Sequence, residues 1–323
     1  MRKVVSTLEL IDGVFLLKTT LVTGASGFVG SHLVTEMARR NMPFRGLTRG
    51  SAPNLVTIPS YSSDMSWHPY LEDVETIVHL AARVHVMRET DVDPIKRFRE
   101  ANVLSTINLA KQAAEAGVRR FVFVSSIKVN GECTPPGKPF RATDPRGPLD
   151  PYGISKAEAE EALIELGAKT GMGITIVRPP LVYGPGVKGN FQTLIKWARK
   201  GGPSIFSKVD NKRSFISVDN LCDFLITVLD HPNASNSVFL VSDGEDLSTH
   251  ELLTRLTTEL GRTHKSIPLP PFILRGLGAL VGRKDMIARL TENLEIDMSM
   301  TRKFLGWAPP FSVGESLRKL TRP

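Results

Sequence analysis

A run of apolar residues that breaks into glycines at three-residue intervals leaves a chain few ways to fold, and residues 21–30 read Leu-Val-Thr-Gly-Ala-Ser-Gly-Phe-Val-Gly. Apolar residues at helical spacing follow at once, at Val29, Leu33, Val34 and Met37, so the stretch predicts a strand turning tightly into a helix. Glycine suits that turn for two reasons. An anion can approach the backbone N–H groups at the helix start, and the helix can press on the strand where a Cβ would intervene. The spacing is Gly-x-x-Gly-x-x-Gly rather than Gly-x-Gly-x-x-Gly, so taken alone it also fits a glycine-rich turn with no ligand.

Downstream, strand-like runs at 43–48, 54–58 and 74–82 read as buried strands among helical patterns. Residues 93–117 predict one long helix, with apolar positions near Ile95, Phe98, Val103, Ile107 and Ala110 and a stop at Gly117. A strand at 121–125 leads into residues 131–151, rich enough in proline and glycine to require a loop; a helix over 152–170 and a strand at 174–178 follow. The alternation specifies an α/β fold, a doubly wound parallel sheet of Rossmann type with helices on both faces. Ligands of such sheets sit outside the carboxyl ends of the strands.

A second constellation falls at those ends. Ser125 and Ser126 close the 121–125 strand, and Tyr152 and Lys156 open the next helix one turn apart on one face. A carbonyl accepting a hydride needs a proton, and a phenol near pKa 10 is a poor acid and base at neutral pH. A neighbouring ammonium favours phenolate, so Lys156 is expected to bring Tyr152 down into working range. A serine hydroxyl can hold the reacting oxygen in line. Each residue also has an ordinary reading: a packed helix-start tyrosine, a solvated lysine, a strand-end cap.

Composition matters here for what it excludes. With 323 residues, 41% hydrophobic and 23% charged, the chain can build a sizeable core as one large domain or two small ones. Cys133 and Cys222 stand far apart without Cys or His neighbours, which argues against disulfides and metal sites and fits a reducing cytoplasm. Residues 1–17 read as an N-terminal extension, since Glu9 and Asp12 interrupt its apolar residues and no small-residue cleavage site follows. Residues 267–282 are the most apolar later stretch, but Pro270, Pro271 and Arg275 break it, so no membrane insertion is expected. The net charge of +8 is local: residues 188–213 hold seven Lys or Arg against Asp210. Such a segment suits a diphosphate, would also serve nucleic acid or an anionic membrane, and is equally met as a solvated helix face.

With these motifs in hand, residues 18–307 resemble the extended short-chain dehydrogenase/reductases of the NAD-dependent epimerase/dehydratase group. The resemblance implies a dinucleotide-binding Rossmann domain at 18–179 and a smaller α+β part at 180–323 that covers a nucleotide sugar, with some chain returning to the sheet. It implies cofactor contacts from Gly24, Ser26, Gly27, Phe28, Val29, Gly30, Asp64, Met65, Leu80, Ala81, Ala82 and Pro179, together with Tyr152 and Lys156. Aligning Val129-Asn130-Gly131 with the family's Val-Tyr-Gly places Ser126, not Ser125, beside Tyr152 and Lys156 as the catalytic set. Arg83, Lys128, Asn190 and Arg213 fall where relatives hold the substrate. Residues 79–87, 125–132 and 242–249 are similar to bacterial reductases of UDP-4-keto-6-deoxy-N-acetylhexosamines, which form UDP-N-acetylquinovosamine for surface polysaccharide; UDP-glucose 4-epimerase-like proteins are close as well.

Two departures refine the expectation. Ile127 and Lys128 stand where the group's dehydratases carry Asp-Glu, so dehydration is not expected. After the second strand the chain reads Arg45-Gly-Leu-Thr-Arg49, without the acid that takes the ribose hydroxyls of NAD, and Arg49 suits a 2′-phosphate. The expectation is therefore an NAD(P)-dependent oxidoreductase, NADP(H) slightly favoured over NAD(H), that reduces a 4-keto group on a UDP-linked hexose. The alternatives are a 4-epimerase with retained NAD and, in another class, a non-catalytic dinucleotide-sensing or RNA-binding relative. A cytoplasmic protein without nucleic-acid partners is expected, and a homodimer is compatible with the sequence.

Overall fold

The computed structural model describes residues 9–321 apart from 12, 13, 17, 18, 85–92, 202, 264, 281 and 283, and leaves out the side chains of 9–16, 190, 284 and 285. Residues 85–87 of the reductase-like stretch therefore lie outside the described residues, as does most of the N-terminal extension. Within that extension β1 (Glu9–Ile11) and β2 (Val14–Leu16) pair as an antiparallel hairpin.

The predicted alternation follows as β3 (Thr19–Thr23), α1 (Phe28–Arg39), β4 (Phe44–Thr48), β5 (Val56–Thr57), α2 (His68–Leu71), β6 (Val74–His79), α3 (Pro94–Arg99), α4 (Ser105–Glu115), β7 (Arg120–Val124), α5 (Pro151–Thr170) and β8 (Gly173–Arg178). After these come β9 (Leu181–Tyr183), α6 (Asn190–Lys200), β10 (Phe215–Ser217), α7 (Val218–Asp230), β11 (Ser237–Leu240), α8 (Thr249–Glu259), α9 (Pro271–Leu280), α10 (Lys284–Thr291), α11 (Ser299–Leu305) and α12 (Val313–Thr321). Seven strands form one sheet in the order β11-β8-β7-β6-β3-β4-β5, and the pairings from β8 through β5 are parallel. The chain leaves β3 for β4 and β5, then returns to β6 on the other side of β3. The ends of β3 and β6, with Thr23 opposite His79, are therefore the switch point at which such sheets bind ligands. All six residues of β8 are buried, as expected of a strand covered on both faces.

Two elements differ from expectation. Of residues 54–58 only Val56 and Thr57 pair, and both are exposed, because β5 is the short outer edge of the sheet rather than a buried strand. The helix predicted over 93–117 is interrupted by a π-turn at Glu100–Leu104. There the N–H of Ser105 reaches the Glu100 carbonyl, and its Oγ donates to the same oxygen at 2.9 Å. This turns Asn102, 1% exposed, into the interior.

The chain forms two compact units: residues 1–125, 150–177 and 225–238, and residues 126–149, 178–224 and 239–323. The first is built on the core of Leu21, Leu47, Ile77, Leu109, Phe121, Phe123, Leu163 and Ile174. Its buried Arg120 donates to the carbonyls of Val228 and Leu229, closing the last turn of α7. In the second unit β9 and β10 pair in parallel, and Phe224 packs on Phe239 and Trp307 at centroid distances of 5.9 and 5.0 Å. The proline-rich loop is pinned there by backbone bonds from Thr134 to Asn293 (3.0 Å) and from Phe140 to Glu295 (2.9 Å). Among the described residues no helix is long and apolar enough to cross a membrane.

Candidate active site

Gly24 ends β3 at φ +67°, a conformation open to glycine, and a Cβ there would lie 2.9 Å from the Ala81 backbone nitrogen. Gly30 lies inside α1, where a Cβ would come 2.1 Å from the Gly24 carbonyl oxygen. Exposed Gly27 is the N-cap of α1, whose first turn carries neither a capping side-chain bond nor an acid. The positive end of a helix dipole at such a start favours an anion. Ser26 Oγ is 2.7 Å from Thr48 Oγ1 at the end of β4, and exposed Arg49 follows. Phe28 and Val29, both half-buried, begin the helix. This cradle fits the diphosphate of a dinucleotide.

Tyr61, which the sequence did not single out, accepts the Gly24 N–H at 3.0 Å, and burial pushes its phenol up to about 12. Asp64 is exposed, and a hydrogen bond from Ser62 holds its carboxyl below the ordinary value. Met65 instead points its side chain into the core, while its carbonyl accepts Asn108 Nδ2 at 2.7 Å and Gln112 Nε2 at 2.9 Å. Any cofactor contact from Met65 is therefore limited to its backbone.

After β6, Leu80 N–H donates to the Thr23 carbonyl and Ala81 N–H to Thr23 Oγ1, each at 3.3 Å, and half-buried Ala82 follows. Beneath them His79 lies between Thr23 Oγ1 (2.8 Å) and Thr106 Oγ1 (3.0 Å), its ring stacked on Phe123. Burial, with the Lys156 charge adding, pulls the His79 pKa down to about 3. The unfolded chain, where histidine titrates near 6.5, takes up this proton first, so stability is lost as pH falls below about 6.5. Between pH 7 and 4.5 the loss from His79 amounts to about 3 kcal/mol. In urea unfolding at those two pH values, His79→Gln should show an acid loss smaller by that amount. An unchanged acid loss would mean that His79 does not titrate as described.

Helix α5 begins on Asp150, whose carboxylate accepts the Gly153 N–H at 2.7 Å, with Pro151 in the first turn. Tyr152 and Lys156 thereby sit one turn apart. Lys156, 2% exposed, lies 4.3 Å from the Phe123 ring centroid and donates to the Val124 carbonyl at 2.9 Å. Burial draws its ammonium down to about 7. The expected depression of the Tyr152 pKa is not present: burial and the Asp150 carboxylate hold the phenol well above its ordinary value. Its ring meets Phe98 edge-on at 6.2 Å, and the Arg83 guanidinium lies 5.6 Å from the same Phe98 centroid.

Asn102 ties this side of the site together. Its Oδ1 accepts the Arg83 N–H at 2.7 Å, and its Nδ2 donates to the Arg83 carbonyl and to Ser155 Oγ, both at 3.0 Å. Ser155 Oγ in turn donates to the Tyr152 carbonyl at 2.8 Å. The one sequence signal for Asn102 is an asparagine inside an otherwise helical apolar pattern, a placement that usually marks a local irregularity.

In the second unit, half-buried Ser126 caps the turn Ile127–Val129 by accepting the Lys128 N–H at 3.3 Å. Ser125, which belongs to the first unit, is only 3% exposed. Lys128 Nζ lies 3.1 Å from Glu132, and the Glu132 carboxylate also acts on Arg213. Arg213 donates to the Glu292 carbonyl at 2.9 Å, and burial lowers it only to about 10, so it remains a cation. Of the seven cations in 188–213 it alone is half-buried; the other six are exposed, as a solvated face would be. Pro179 is buried and its carbonyl accepts the Ile127 N–H at 3.0 Å. Asn190 opens α6, and its side chain is outside the description.

A parallel sheet with a glycine cradle at its switch point and a Tyr/Lys pair one turn apart on α5 defines a Rossmann-type, dinucleotide-dependent oxidoreductase. The model of the NAD dependent epimerase/dehydratase family matches residues 20–242, and the chain belongs to that family, the extended short-chain dehydrogenase/reductases. It is thus an NAD(P)-dependent enzyme. Over 308 residues it is 41% identical to a UDP-glucose 4-epimerase of Vibrio cholerae, covering 94% of each chain. Among solved structures it is similar to the UDP-N-acetylglucosamine 4-epimerase from Bacillus cereus, with TM-score 0.78 and 19% identity over 95% of this chain and 100% of the other. It is also similar to RMD from Pseudomonas aeruginosa complexed with NADPH, with TM-score 0.73 and 23% identity over 94% and 98%. At those identities the two structures bear on the fold alone.

Proposed function

We propose that the protein is a UDP-hexose 4-epimerase that oxidises the C4 hydroxyl and re-reduces the resulting ketone on the opposite face. The observation that carries this reading, and sets it ahead of the one-way reductase expected from sequence, is the 41% identity to the Vibrio cholerae epimerase across 94% of both chains. Bound in the glycine cradle, the dinucleotide supplies the hydride acceptor and donor. Tyr152 takes the proton of the sugar hydroxyl during oxidation and returns it during reduction, Lys156 supplies the positive charge that favours phenolate, and Ser126 orients the sugar oxygen. Arg213 and Lys128 pair the diphosphate, with Asn190 contributing from α6. A buried amine drawn to about 7 is costly to keep in a scaffold that does no chemistry, which weighs against a non-catalytic reading.

The test is to denature the purified protein and assay the supernatant for dinucleotide, alongside conversion of UDP-glucose without added cofactor. About one NAD per chain and formation of UDP-galactose are expected. An empty protein that turns over only a 4-keto sugar nucleotide with added NADPH would replace the epimerase by a reductase.

One observation favours that second reading: the residue after β4 is exposed Arg49 rather than an acid. On that reading a guanidinium contact to a 2′-phosphate contributes about 1.5 to 3 kcal/mol, so NADPH should bind roughly tenfold or more tightly than NADH, and Arg49→Ala should erode the difference. Titrations giving equal affinities in the parent would remove this argument.

A further inference from the structure

Six large apolar side chains of the second unit, Ile267, Phe272, Ile273, Leu277, Leu280 and Met286, are exposed within twenty residues of sequence. Phe272 is 73% exposed and Leu280 84%. Helix α9 buries only Leu274, which joins the cluster of Phe206, Val209, Leu253 and Ile287, and Gly278. At 100° per residue, Phe272, Ile273, Gly276, Ala279 and Leu280 share the side away from Leu274, an outward face without a charge, while exposed Leu277 stands at its flank, about 60° from Leu274. The single charge of α9 is Arg275, whose guanidinium lies 4.0 Å from Glu292. Around this face the sequence is basic: residues 262–289 hold six Lys or Arg against one acid, Asp285.

We infer that α9 docks the protein on an anionic phospholipid surface, with Phe272, Ile273 and Leu280 at the acyl boundary and the flanking cations among the headgroups. An outward apolar face on a short helix, edged by Lys and Arg, is the pattern of helices that lie in the membrane interface. Ten residues of helix span about 15 Å, half of a bilayer core, so α9 lies on the surface and does not cross. Charge selects lipid over a second copy of the chain. A two-fold contact through this face would set the same cations against each other, whereas anionic headgroups complement them.

The test is co-sedimentation of the full-length protein, in physiological salt, with vesicles of three parts phosphatidylcholine to one part phosphatidylglycerol and with vesicles of phosphatidylcholine alone. Binding at least tenfold tighter to the anionic vesicles is expected. Phe272→Ser with Leu280→Ser, and Leu280→Ser alone in case the double variant unfolds, should weaken it severalfold or more while leaving thermal midpoint and turnover unchanged. Arg262→Gln with Lys265→Gln should weaken anionic binding by roughly fivefold per cation and leave the weak zwitterionic binding as it is. Equal binding to both vesicles, or serine variants that bind like the parent, would overturn the inference. So would a parent that ignores vesicles yet sediments as a dimer dispersed by the serine changes, since the occupant would then be a second copy.

Discussion

Tyr152→Phe is expected to fold, to bind dinucleotide as the parent does, and to lose about a hundredfold to ten-thousandfold in kcat. The substitution removes a single hydroxyl and keeps the ring that meets Phe98 edge-on. A companion variant, Lys156→Met, separates the proton carrier from its electrostatic support. Lys156 is charged below about pH 7 and loses that charge as pH rises through it. The parent's turnover should therefore weaken from this source on the alkaline side, and the variant should be slow without that limb. Burial and the Asp150 carboxylate hold the phenol high, so without the ammonium little opposes them. Full turnover in folded, nucleotide-binding Tyr152→Phe would reduce this helix to scaffolding.

Gly30→Ala is expected to cost about 3 kcal/mol or more, at the upper end for overpacking. The added Cβ would meet the Gly24 carbonyl oxygen at 2.1 Å and the Ala25 Cα at 2.8 Å. Both are backbone atoms, which cannot rotate aside, so α1 would have to lift from β3. Gly27→Ala makes the contrast: its Cβ meets one atom, at 3.1 Å, on an exposed turn. There the fold should lose less than about 1 kcal/mol while dinucleotide affinity falls at least tenfold, because the methyl group stands where an anion would approach. Urea midpoints and dinucleotide titrations of the two variants check the pair. A Gly30→Ala protein as stable as the parent would show that helix and strand are not in the contact described.

What could be read in advance depended on how local the cause was. The glycine turn, the β–α alternation and the Tyr152/Lys156 spacing are set by neighbours in sequence, and the sheet and cradle follow them. Residues 54–58 misled because the apolar run gave no sign of lying at the sheet edge. Asn102 in the π-turn finds its partners, Arg83 and Ser155, far along the chain, and periodicity is blind to that. The Tyr152 pKa escaped for a related reason: spacing gives the distance to Lys156, but not the burial that acts on both groups. Charge pattern alone left Arg213 among six solvated neighbours; the family resemblance singled it out, and its half-buried side chain sets it apart in the structure. The outward face of α9 had been visible as an apolar stretch, without any indication that so little of it would be covered.

The wide turn at Glu100–Leu104 also fixes the length of the chain at that point. Loss of one residue there would let the segment close into regular α-turns, and because the wide turn sweeps about the same angle with one residue more, the flanking faces would keep their phase while the residue it turns inward would go. A surface loop absorbs insertions and deletions, and an exposed helix absorbs substitutions. This segment can drift in composition and still hold its place, but losing a codon would remove the inward-turned residue, Asn102, which links the loop that carries Arg83 to the helix that carries Tyr152.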